Sequence, residues 1–190
     1  MTTLPLIRVG ISACLLGERV RYDATHRLDA DLLAFFAGIF ELVPLCPEVA
    51  IGLSVPREPI HLVGPPPGRG MSKAPPVRAV GNRTPRLDVT DALTEYGQRM
   101  ARELTDISGY VFKARSPSCG VDSVNVYSVT NDHIPTHRGA GLYAEALRVG
   151  LPQLPIAEDE QFKDFGFRMQ FVRRVLSYHD HQETGHVCRR

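Results

Sequence analysis

A chain of 190 residues, 43% hydrophobic and 23% charged, has the size and composition of one globular domain with a substantial core. A net charge of +1 gives no general electrostatic case for nucleic acid as a partner. No apolar stretch approaches the roughly 20 residues that span a bilayer, and the opening Met1-Thr-Thr-Leu-Pro-Leu-Ile-Arg lacks the order of a signal peptide. The expected location is the cytoplasm, away from membranes, where isolated cysteines are thiols, metal ligands or catalytic groups rather than disulfides.

Residues 8–12 read as a buried strand and 14–27 as a loop. Residues 29–40 read as a helix capped by Asp29, with Leu32, Phe35, Phe36 and Ile39 on one face. Residues 41–45 follow as a second strand, and this βαβ order implies a parallel pair. Residues 47–86 read as irregular, because tracts such as Gly64-Pro-Pro-Pro-Gly and Ala74-Pro-Pro remove donors and fix φ. A flap is expected there. Thr90 then reads as the cap of an amphipathic helix whose apolar face is Val89, Leu93, Tyr96, Met100 and Leu104. Strands are expected at 110–113, 124–129 (or a hairpin arm) and 154–157, and a helix at 141–149. A final helix ends before His179, with Phe165, Met169, Val172 and Leu176 on its buried face. The expected fold class is α/β, with residues 1–158 as one domain and 159–190 as a helical tail.

Three of the four cysteines, Cys14, Cys46 and Cys119, each sit just beyond an apolar strand-like run. In open α/β sheets ligands bind outside the carboxyl ends of the strands, so parallel neighbours would bring these three thiols to one crevice. Spacing alone leaves three readings open. They are inert buried cysteines, a zinc site lacking the usual C-x-x-C pair, or an iron–sulfur cluster with fewer than four thiolates. Their neighbours favour chemistry. Glu48 follows Cys46 through Pro47, Ser116 and Ser118 precede Cys119, and Ser12 precedes Cys14. A carboxylate, hydroxyls and three thiols at strand ends form a reaction centre in outline. The alternative reading of Glu48 is a structural ion pair with Arg21 or Arg57. Arg19, Arg21, Arg57 and Arg115 are candidate anion holders, as are the amides of the glycine-rich helix entry at 139–142. His179, His181, His186 and Cys188 carry little weight as a metal tract.

The motifs Ile11-Ser-Ala-Cys-Leu-Leu-Gly, Val20-Arg-Tyr-Asp, Cys46-Pro-Glu-Val, Pro56-Arg57, Asp88-Val-Thr, Ser116-Pro-Ser-Cys-Gly, Gly139-Ala-Gly-Leu-Tyr-Ala and Leu154-Pro-Ile-Ala-Glu-Asp-Glu resemble, in order, those of the thiouracil desulfidase family. That resemblance implies a Rossmann-like three-layer α/β fold with a mostly parallel sheet, plus a C-terminal helix. It implies a 4Fe–4S cluster on Cys14, Cys46 and Cys119 with one open iron site, and non-redox conversion of a thiocarbonyl to a carbonyl with sulfide released. Glu48 and Ser116 are then the expected catalytic residues, and Ser12, Ser118 and Arg21 the expected substrate contacts. The expected substrate is a small thionated pyrimidine base or nucleotide. The alternatives are a sulfur-trafficking cluster protein without turnover, or a desulfidase of thiolated tRNA. Two positions depart from the family pattern: Ala24 stands where glycine is common after Tyr-Asp, and the stretch after Val49 is Ala50-Ile-Gly-Leu-Ser.

Overall fold

A computed structural model describes residues 7–65, 77–84, 86–128 and 131–187, without the side chains of 131–133 and 185–187. Strand β1 (Ile7–Ser12) passes through a 3₁₀ turn (Ala13–Leu16) to α1 (Ala30–Phe36) and β2 (Phe40–Leu45). Then come α2 (Pro47–Ala50), β3 (Ile60–Val63), β4 (Arg78–Gly81), α3 (Thr90–Glu103), β5 (Ile107–Phe112), β6 (Val124–Ser128) and β7 (Asn131–Gly139). The chain continues with α4 (Leu142–Gly150), β8 (Ile156–Glu158), a 3₁₀ turn (Asp159–Lys163) and α5 (Phe165–Val187).

One sheet has the order β2-β1-β5-β8, and every pairing in it is parallel. Because β5 is buried along its whole length, both faces of this sheet must be covered. On one face Leu32 and Phe36 of α1 meet Val9, Ile11 and Val111, with Phe162, Phe171 and Val175 from the end of the chain. On the other, Tyr96 and Met100 of α3 and Tyr143 and Leu147 of α4 cover Ile107, Tyr110 and Phe112. The result is the expected helix–sheet–helix sandwich, and its parallel strands all send their carboxyl ends to one edge.

A second sheet, β4-β3-β6-β7, was not anticipated. The β3 strand pairs antiparallel to β4 and parallel to β6, and β6 pairs antiparallel to β7. Ile60, Leu62, Ala79, Val124 and Val126 join Val89 and Leu93 in a core of their own. The stretch 47–86 is therefore not irregular throughout: it supplies α2, β3 and β4. The Pro/Gly-rich tract at 66–76 lies outside the described residues, as does Cys188.

Boundaries shift for identifiable reasons. The Asp29 carboxylate accepts the Leu32 amide and caps α1, as expected. The helix stops at Phe36 rather than reaching Phe40, because Gly38 takes a left-handed φ of 76° and turns the chain into β2. Ile39 is consequently left exposed. At α3 the capping oxygen belongs to Asp88, which accepts the Thr90 amide, and Thr90 is already helical. The β5 strand begins at Ile107, three residues before its expected start, and includes Gly109. The last helix runs to Val187, well past His179. Its buried face is Phe171, Val172 and Val175, while Phe165, Met169 and Leu176, expected inside, are exposed.

Candidate functional site

The carboxyl ends of β2, β1 and β5, neighbours in that order, deliver Cys46, Cys14 and Cys119 to the same edge of the sheet. Cys14 lies in the 3₁₀ turn after β1, Cys46 precedes α2, and Cys119 lies in the loop after β5. All three are free thiols and line one cavity of about 380 Å³. Ser12, Arg21, Tyr22, Arg27, Glu48, Arg57, Lys113 and Ser116 share that lining.

Burial pushes the Cys14 thiol up to about 11, with Cys46 adding to the rise and Arg21 and Lys113 opposing it. Burial likewise raises Cys46, against the pull of the Val49 amide. Cys119, the most deeply placed, is raised well above the ordinary thiol range by burial, with Cys46 and Cys14 adding to it and the Ser12 hydroxyl opposing. Cys14 feels Cys46, and Cys119 feels both Cys46 and Cys14, so the three share one electrostatic neighbourhood. Holding all three as thiolates requires a positive group among them. Among the described residues no three His, Cys, Asp or Glu side chains converge as the ligands of a single ion do. The three sulfurs border one cavity, and three soft sulfur donors are the ligand type that suits an iron–sulfur group.

The Glu48 carboxylate is fixed at both oxygens. Arg57 donates to Oε2 from Nε at 2.8 Å, with a second guanidinium nitrogen also at 2.8 Å, and the Ser118 hydroxyl donates to Oε1 at 2.9 Å. Arg57 also donates to the Val20 carbonyl at 2.8 Å, tying α2 to the loop after Cys14. The two serines beside Cys119 thus have different surroundings. Ser118 is fully buried behind Glu48 and does not line the cavity, contrary to its expected place against substrate. Ser116 lines the cavity, and its Oγ accepts the amides of Ser118 and Cys119 at 3.3 and 3.2 Å. Its own hydrogen remains available to a cavity ligand. At the rim, Arg21 donates to Thr25 at 3.1 Å and lies 3.4 Å from Asp23.

The glycine-rich entry to α4 does not serve as an anion site. Its amides are taken by the cysteine loop: Gly141 donates to the Gly120 carbonyl at 2.7 Å, Leu142 to Pro117 at 3.1 Å and Ala144 to Ser118 at 3.1 Å. Gly141 is required for that approach, since a Cβ there would lie 2.5 Å from the Ser118 carbonyl carbon.

Sequence reasoning missed the carboxylates that hold this loop from the other side. Asp159 accepts the Ala114 amide at 2.7 Å and pairs with Lys113 Nζ at 2.7 Å. Glu158 accepts the Val121 amide at 2.6 Å and the Ser123 hydroxyl at 2.7 Å. Both sit at the carboxyl end of β8, where the strand-end rule that found the cysteines points as well.

Comparison with known proteins agrees with this geometry. The family profile of 2-thiouracil desulfurase matches residues 9–159. The uncharacterized protein YbbK of Bacillus subtilis (strain 168) is 31% identical over 58% of this chain and 71% of its own length. The solved structure of the 4Fe–4S-dependent thiouracil desulfidase TudS superposes with a TM-score of 0.60 at 25% identity, covering 86% of this chain and 98% of the other. The strand-end thiols and the ordered motifs around them thus have a family to which they correspond: the chain belongs to the 2-thiouracil desulfurase family.

Proposed function

We propose that the protein is an iron–sulfur-dependent desulfidase that converts the thiocarbonyl of a thionated pyrimidine base or nucleotide to a carbonyl. The observation that carries this reading is the convergence of Cys14, Cys46 and Cys119 with Glu48 and Ser116 on one cavity. Membership in the family and likeness to the TudS structure support it.

In this reading Cys14, Cys46 and Cys119 hold a 4Fe–4S cluster. When bound on three cysteines, such a cluster supplies an iron without a protein ligand, a Lewis acid for the thione sulfur. Ser116 donates its hydroxyl hydrogen to the pyrimidine, and Arg21 meets the substrate from the rim. Glu48, held between Arg57 and Ser118, takes a proton from the attacking water, general-base help typically worth about 10²–10⁴-fold. Thiocarbonyl and water become carbonyl and hydrogen sulfide, with no net oxidation or reduction. Three free thiols suit a reducing compartment such as the cytoplasm. Among the described residues no helix is long and apolar enough to cross a membrane.

The test is anaerobic reconstitution followed by incubation with 4-thiouracil, its nucleotide and thiolated tRNA, scoring loss of thione absorbance together with sulfide release. Turnover of the base or nucleotide is the expected result. A chain that binds no iron, or a Cys14→Ala variant with full activity, would overturn the ligand assignment. Iron and sulfide without turnover of any of the three would indicate a sulfur-trafficking role.

A further inference from the structure

Among the described residues that line the thiol-bearing cavity, Tyr22 is the sole aromatic side chain. It is 40% exposed, and its one ring contact among those residues is the guanidinium of Arg21, whose carbon lies 5.3 Å from the ring centroid. The surrounding loop holds the ring in place. Tyr22 occupies the second position of a tight turn in which the Ala24 amide donates to the Arg21 carbonyl at 3.0 Å. The Arg21 amide closes the loop by donating to the Thr25 carbonyl at 3.3 Å. Arg21 Nε also donates to the Thr25 hydroxyl oxygen at 3.1 Å, and that hydroxyl donates to Asp23 at 2.6 Å, so the guanidinium beside the ring is itself tied down. From the other direction the Arg57 amide donates to the Tyr22 carbonyl at 2.9 Å, while the Arg57 side chain grips Glu48. One residue thus anchors both the backbone of Tyr22 and the carboxylate of the cavity.

We propose that Tyr22 is a specificity-determining residue, an aromatic platform on which the ring of a thionated pyrimidine lies while its edge meets Glu48 and Ser116. This rests on the desulfidase reading of the same cavity, and it adds the requirement for a flat, unsaturated ring. A pyrimidine carries its polar atoms at the edge. Its faces are π surfaces, and stacking on an aromatic side chain is the contact that any base can make with them. The remaining walls offer those faces aliphatic groups such as Val20, Leu45 and Ile60, or charges. A ring already fixed by its turn and by a neighbouring guanidinium loses little freedom when a ligand stacks on it, so the contact is preorganised. The thione sulfur is itself an edge atom. A platform beneath the face sets the plane in which that sulfur points without competing for it.

The experiment uses the full chain, reconstituted anaerobically as wild type, Tyr22→Phe, Tyr22→Trp and Tyr22→Leu. Iron content is measured for each, and kcat and KM are determined with whichever of 4-thiouracil and its 5′-monophosphate the wild type turns over. Tyr22→Leu keeps apolar bulk but has no π face. It is expected to raise KM on the order of 10-fold, with iron content and kcat little changed, the signature of lost ring binding. Tyr22→Phe and Tyr22→Trp keep a π face and are expected to hold KM near the wild-type value. A Tyr22→Leu variant with the KM of wild type overturns the platform while leaving the desulfidase reading intact. So does an equal rise of KM in all three variants, which would assign the position to the tyrosine hydroxyl, and so does a fall in kcat at unchanged KM. A wild-type chain that is fully loaded yet turns over neither substrate overturns the desulfidase reading and this proposal with it.

Discussion

Arg57 grips a single oxygen of Glu48 with two of its guanidinium nitrogens, each at 2.8 Å, and leaves the other oxygen to Ser118. Both side chains of the ion pair are largely buried, at 6% and 14% exposure. The partners are unequal in what they lose on separation. Arg57 retains the carbonyls of Val20 and Ser54, whereas Glu48 retains only the Ser118 hydroxyl. Arg57→Ala is therefore expected to destabilise the fold by about 3–5 kcal/mol, the usual result of stranding a buried charge. Glu48→Gln removes the counter-charge of Arg57 but leaves that guanidinium its two carbonyls, and should cost less, about 1.5–3 kcal/mol. Urea unfolding of both variants checks the asymmetry, and equal losses would remove it. Glu48→Gln should nevertheless retain iron and lose most turnover.

The loop carrying Cys119 is fastened at both ends by adjacent carboxylates. Asp159→Ala removes the partner of the partly buried Lys113 ammonium and orphans the buried Ala114 amide, with an expected loss of about 2–4 kcal/mol. Asp159→Asn, which keeps an acceptor, should lose less. Glu158→Ala is expected to raise hydrogen exchange at the Val121 and Asp122 amides while leaving α3 unchanged. Unaltered exchange at those two amides would show that the fastening is not needed.

Ala24 sits at a φ of 55°, the left-handed region where an L side chain costs roughly 1–2 kcal/mol. Ala24→Gly removes that strain at an entropic cost of about 0.5–1 kcal/mol, so a net stabilisation of about 0.5–1 kcal/mol is expected. A higher urea midpoint with unchanged slope would confirm it, and a lower midpoint would contradict it.

Acid should loosen the start of α3 in a definite direction. Burial tends to raise the Asp88 carboxyl, but hydrogen bonds from the Thr90 hydroxyl and amide and from Arg78 outweigh it and hold the group below the usual carboxylate range. A depressed folded-state value means the contribution is complete above the unfolded-state pKa and is lost as pH falls through the folded one. Between about pH 5 and pH 2 the urea midpoint of the wild type should therefore fall more steeply than that of Asp88→Asn. Parallel curves would dismiss the carboxylate as a source of acid sensitivity.

Much of the site was readable in the sequence because the chemistry sits at the ends of buried parallel strands, whose apolar runs stand out. The ligand assignment of Cys14, Cys46 and Cys119 came from resemblance, since spacing alone left inert cysteines and zinc open. The choice between Arg21 and Arg57 as partner for Glu48 depended on how α2 packs against the loop near Val20, a tertiary fact. The second sheet was hidden for a different reason. Its β3 and β4 strands have four residues each, and β7 carries Pro135 in a polar run without alternation. In α5 the row Phe165, Met169 and Leu176 has the right period for burial, yet a neighbouring row holding Phe171 and Val175 is the one that meets Phe36. Periodicity identifies a helix more readily than it identifies which of two apolar rows turns inward.

The three cysteines follow β2, β1 and β5, which are consecutive strands of one hydrogen-bonded ladder. Adjacent strands in any sheet stand about 4.8 Å apart. The main chain therefore sets the spacing of the three strand ends, and the carboxylates at the end of β8 hold the loop that carries Cys119 over them. Substitutions around the rim can reshape what enters without altering that span, so specificity and cofactor capacity are separable properties of the scaffold.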